Sequence, residues 1–172
     1  GQIGALKADN TEQYRTALGD IQGKITNFVT ITIGQVEITK DNVESIIPNY
    51  EKFTAAKKDI DAIAPVEAQI SALKATTTPS LKDIQDARSA YNALPSNLKK
   101  LVKNLSDLTD LESADKDAIA VDKKIDAIKV SNKADFYKRY IEAQNAYDTL
   151  KNKDYAKNGA RLLSLAPYAK LV

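Results

Sequence analysis

The 172-residue chain is predicted to be all-α, an elongated series of three-helix bundles joined by long shared helices. Two observations carry this. First, apolar residues recur at steps of three and four from Leu101 to Ile128, the spacing of one buried helical stripe and not of a strand. Second, that stripe is a copy. Sliding the chain by 55 residues takes Ile46 to Leu101, Tyr50 to Leu105, Phe53 to Leu108 and Ala56 to Leu111, and further on Ile63 to Ala118, Val66 to Val121, Ile70 to Ile125 and Leu73 to Ile128. Only Ile60 breaks the match, by landing on Asp115.

In chain order, Gly1 to Asn10 is expected to be poorly ordered, and Thr11 or Asn10 caps a helix with the stripe Tyr14, Leu18, Ile21, Ile25 and Phe28. The β-branched alternation of FVTITIGQVEITKDN then predicts a short β-hairpin near residues 29–39, or an extended connection, with its turn at Gly34 and Gln35. Asp41 with Glu44 has the spacing of a capping box. Pro48 fits the first turn of a long helix reaching Lys74, and Pro65 inside it is expected to kink or break that helix near Ile63.

After the breaker ATTTPS, Ile84, Ala87, Tyr91 and Leu94 form a second stripe, stopped by Pro95. The central helix follows. Beyond Ile128, Tyr140, Ala143, Tyr147 and Leu150 repeat the second stripe at a shift of 56, one residue having been inserted in the loop. The closing Leu171 and Val172 echo Leu101 and Val102, where another long helix would open, and Gly1 in place of an initiator Met suggests a processed or excised chain. The expected units are 1–65, 66–120 and 121–172, in a spectrin-like arrangement in which each long helix serves two bundles. A 28-residue helix is about 40 Å long, so successive bundles would be displaced into a rod. The expected core is Phe53, Val66, Ile70, Ala87, Tyr91, Leu94, Leu105, Leu108, Val121, Ile125, Ala143, Tyr147 and Leu150, with the tyrosine hydroxyls at its edge.

Composition closes off many chemistries. The chain has no Cys and no His, so it lacks disulfides, thiolate nucleophiles and the commonest general base and metal ligand. Its 25 basic and 23 acidic residues are interleaved and give a net charge of +2, too weak a field to argue for nucleic acid. No apolar run is long enough for membrane insertion. The densest acidic cluster is Asp107, Asp110, Glu112, Asp115 and Asp117, with Asp107, Asp110 and Asp115 its calcium candidates, and it is either a solvated helix face or a surface or intermodule calcium site, though without EF-hand spacing. Asp115 sits on the apolar stripe, so its burial would require a partner such as a nearby Lys. No catalytic constellation or cofactor motif is present, and the expectation is that the chain is not an enzyme.

The segments Val66 to Leu73, Ala87 to Leu94 and Leu101 to Leu108, partly repeated as Val121 to Ile128 and Ala143 to Leu150, resemble helical repeats of large surface proteins of Gram-positive bacteria, including some S-layer proteins. The chain departs from a regular repeat in its shortened first unit, in Gln144 where Arg88 stands, and in an insertion after Leu150. The resemblance implies an extracellular module of the bacterial cell surface or cell wall that spaces domains and makes lateral contacts, often with calcium. Its partners would be other domains or copies of the parent surface protein, or a cell-wall polymer. The alternative is an adhesin-type module that recognises a host protein or cell-wall polymer through an exposed helix face.

Overall fold

The computed structural model describes residues 2–9, 11–39, 41–77, 79–128 and 133–153. Among these the chain is mostly helical, with one two-stranded antiparallel sheet. The elements group into two compact units, Gly1–Ala68 with Tyr91–Lys103, and Gln69–Ala90 with the chain from Asn104 onward.

In the first unit, α1 (Glu12–Thr26) starts where predicted. Thr11 Oγ1 accepts the Tyr14 N–H at 3.3 Å, and the Asp9 carboxylate accepts from the backbone N–H and hydroxyl of Thr11. Those two bonds to Thr11 hold the Asp9 carboxyl below its ordinary pKa. Tyr14, Leu18, Ile21 and Ile25 are buried against Phe53, while Phe28 lies beyond the helix end and is half-buried. The N-terminal segment differs from expectation, because Ile3 is buried in this same core and Lys24 and Lys52 bond Gln2 and the Gly4 carbonyl. A lone apolar residue ahead of a cap has no period, so its burial could not be read from the sequence.

The predicted hairpin is present as β1 (Ile31–Ile33) and β2 (Val36–Ile38), pairing Ile31 with Ile38, Thr32 with Glu37 and Ile33 with Val36. Gly34 takes φ +63° at the first central turn position, the requirement of a type II′ turn. Asn42, not Asp41, precedes the short helix α2 (Val43–Ile46), and its carboxamide faces back to accept the Thr39 N–H and donate to the Glu37 carbonyl. The Asp41/Glu44 capping box therefore does not form, and Glu44 instead accepts the Tyr50 hydroxyl. Asn49 adopts the left-handed conformation at φ +64°, which asparagine tolerates better than most residues. This delays the long helix α3 (Tyr50–Ala75) past Pro48.

The helix α3 runs through Pro65 without the expected break. Proline costs it one backbone hydrogen bond, but the flanking Ile63, Val66 and Ile70 are all buried and hold the helix on both sides. Replacing the exposed Pro65 by alanine should restore that bond and raise stability by about 2 kcal/mol, the helix gain less the unfolded-state entropy that proline removes. A urea midpoint that falls on Pro65→Ala would show that the proline fits its site better than a regular helix does.

Next come α4 (Leu81–Ala93), whose Asp83 N–H is capped by Ser80 Oγ, and the short α5 (Ser96–Lys99). The central helix, predicted from Leu101, begins only at Leu105, as α6 (Leu105–Asp126). The reason is visible in the first unit. The Leu101 carbonyl, which would accept the first bond of a helix opening there, accepts from Arg15 instead, and Glu67 holds the Lys103 N–H from a separate helix. Leu101 and Val102 are nonetheless buried.

In the second unit α7 (Lys133–Lys151) returns along α6, with Ala143 and Leu150 buried among Ala118, Val121, Ile125 and Ile128, and Tyr140 and Tyr147 half-buried beside them. The 55-residue repeat is carried into the fold. Tyr50 and Leu105, equivalent positions, each begin a long helix, and Phe53, Ile63, Val66, Ile70 and Leu73 are buried, as are their counterparts Leu108, Ala118, Val121, Ile125 and Ile128. It also extends upstream, since Val43 and Leu98 are buried on the two short helices. One pair fails, for Ile46 is 52% exposed where Leu101 is 1%.

Candidate functional site

Two charged constellations stand out, one in each unit. In the first, α1 presents Arg15 one residue past the buried Tyr14, and α3 presents Glu67 between the stripe residues Val66 and Ile70. Arg15 Nη2 donates to Glu67 Oε1 at 2.6 Å and to the Leu101 carbonyl at 2.9 Å. The same Glu67 oxygen accepts the Lys103 N–H at 2.9 Å. Both side chains are largely removed from water, at 13% and 10% exposed. The chemical meaning is mechanical: a bridging carboxylate ties α1 and α3 to the 101–103 turn.

In the second unit, Arg88 on α4 makes a two-pronged pair with Glu112 on α6, Nε to Oε1 and Nη2 to Oε2. This pair lines a groove of about 730 Å³, along with the buried Ile84 and Asp115 and the exposed Leu81. Lys116 and Lys123 also line it. Ser89 is on the same lining.

The three acidic candidates for calcium are dispersed in character. Asp107 is half-buried and accepts from Lys74 Nζ at 2.7 Å, Asp110 is exposed, and Asp115 is buried with the groove. Among the described residues no three carboxylates gather into a group able to hold a metal ion. Asp117, nearby in sequence on α6, pairs with Lys153 just past the end of α7. Of the expected core residues, Phe53, Val66, Ile70, Ala87, Leu108, Val121, Ile125, Ala143 and Leu150 are buried, and Tyr91, Leu94, Leu105 and Tyr147 are half-buried. Lys99 Nζ lies 5.9 Å from the Tyr91 ring centroid, a cation–π contact at the edge of the first unit.

Sequence reading missed Arg15 and Glu67, and took Glu112 only as a member of the acidic cluster, not as the partner of Arg88. One signal was available: the chain uses only four Arg among 25 basic residues, and two of these four make the partly buried pairs. Arginine's planar fork is the side chain suited to a fixed carboxylate geometry. No described helix is long and apolar enough to cross a membrane. Compared with protein-family models, curated proteins and solved structures, the chain matches none.

Proposed function

We propose that the chain is a non-catalytic structural module of a bacterial cell-surface protein of the S-layer type, a stiff spacer that makes lateral contacts outside the cell. The observation that supports it most is the duplicated long helix: five equivalent positions are buried in both copies, four of them within α3 and α6 and the fifth at Leu73 and at Ile128, just past the end of α6, so what the repeat carries is a core. The residues of α3 are also shared, Tyr50–Ala68 belonging to the first unit and Gln69–Ala75 to the second. That division supports the spectrin-like reading, in which one long helix serves two bundles. The buried Arg15–Glu67 bridge fits the same purpose, since it ties α1 to α3 within the first unit.

Small-angle scattering tests the spacer. A compact chain of this length has a radius of gyration of about 16 Å, and an extended tandem arrangement should exceed that by half or more. A value at the compact limit would remove the mechanical reading. An adhesin-type module is the second reading, favoured by the exposed apolar hairpin at Val29–Val36, and it predicts one-to-one binding to a foreign partner with no self-association.

A further inference from the structure

One carboxylate is carried through the repeat without its bonds. Of the four acidic residues on α3, the 55-residue shift takes Glu51, Asp59 and Asp61 to Ser106, Ala114 and Lys116, and only Glu67 to another acid, Asp122. Their settings match. Each follows a buried valine, Val66 or Val121, and each lies three residues before a buried isoleucine, Ile70 or Ile125. Their hydrogen bonds do not match. Glu67 Oε1 accepts from Arg15 and from the Lys103 N–H in the turn before α6, whereas Asp122 Oδ1 is shut off from solvent with no hydrogen-bond partner among the described residues. The adjacent Lys123 and Lys124 do not bond it, and neighbours in a helix do not face each other. A buried acceptor left unbonded is costly, so a donor is called for.

We propose that Asp122 is the docking point for a third opening turn, residues 170–172 of this chain, and takes a backbone N–H from it as Glu67 takes one from the turn at Lys103. Lys170, Leu171 and Val172 lie outside the described residues, and they repeat Lys100, Leu101 and Val102 letter for letter. Leu101 and Val102 are themselves buried beside the Glu67 bridge, so the copy brings two apolar anchors along with its N–H groups. Reach is ample. Lys153 Nζ holds Asp117 at 2.7 Å, Asp122 is five residues further along α6 or about 7–8 Å, and seventeen residues run from Lys153 to Lys170. The inference rests on the repeat reading of the fold given above and needs neither the cell-surface setting nor the stiffness.

Amide hydrogen exchange of the full chain, read at Val121 and Ile125, tests this in the wild type, Asp122→Ala, Leu171→Ala/Val172→Ala and all three changes combined. With the turn docked, Asp122→Ala lowers protection at these amides about tenfold or more, the loss of a bond to a charged group. Leu171→Ala/Val172→Ala does the same, and adding Asp122→Ala to it changes little, because the donor has already left. Asp122→Asn keeps an acceptor oxygen and should retain most of the protection. An acceptor that stays orphaned gives the opposite sign. Removing it would relieve an unmade bond, and would also take a negative charge from the last turns of α6, so protection would rise. Protection that rises or holds in Asp122→Ala overturns the docking, as do losses that simply add in the combined variant. Either result leaves the repeat between α3 and α6 standing, and a scattering result at the compact limit removes the spacer without touching this pairing.

Discussion

Glu67→Ala should cost about 3–5 kcal/mol of stability, the penalty for stripping one partner from a buried ion pair. The carboxylate accepts from Arg15 and from the Lys103 N–H, and its loss strips both donors of that acceptor while the guanidinium keeps its bond to the Leu101 carbonyl. An unpaired backbone N–H at Lys103 adds to the damage. Against a typical total of roughly 5–15 kcal/mol, that is enough to loosen the whole first unit. The exposed pairs Lys57–Asp61 and Lys82–Asp86 provide the contrast, since an i,i+4 pair in water contributes under about 1 kcal/mol. The double variant Arg15→Met/Glu67→Met should recover most of the loss, because the cost belongs to the orphaned charge and not to the missing attraction. Urea unfolding of the single and double variants reads all three; a loss below about 1 kcal/mol for Glu67→Ala would mean that water reaches the bridge.

The bridge also marks where sequence reading stops. Helical stripes were legible because each is a local period repeated over several turns, and the hairpin because alternation and Gly34 announce it within ten residues. Arg15, Glu67 and Lys103 are bound across separations of 52 and 36 residues, and no local pattern encodes such a pairing. The same bonds explain why the start of the central helix was misplaced. Leu101 and Val102 carry the right apolar spacing for helix, yet tertiary hydrogen bonds hold that backbone in a turn. Asn49 did the same at the other copy through its own backbone conformation, so both long helices begin at equivalent positions for different local reasons. Spacing located the buried face; where a helix starts was decided by which backbone groups had other partners.

Phe53→Ala and Leu108→Ala form the second test, and they probe the repeat itself. Both residues are the fourth of their long helix, both are essentially without solvent exposure, and each belongs to a different unit. Truncation should cost about 3–5 kcal/mol at Phe53 and about 2–5 kcal/mol at Leu108, the lost burial plus the cavity left behind. The discriminating comparison is the pair that fails. Ile46→Ala removes a half-exposed side chain and should change stability by less than about 0.5 kcal/mol, whereas Leu101→Ala, its repeat partner, should cost about 2–5 kcal/mol. Because a chain of two units need not unfold in one step, amide exchange is the better readout, with Phe53 and Leu101 loosening the first unit and Leu108 the second. Equal losses at Ile46 and Leu101 would mean that the duplication governs packing along its whole length; the expected inequality means that it governs the short helices at Val43 and Leu98 and the long helices, but not the turn between them, where each copy makes its own bonds.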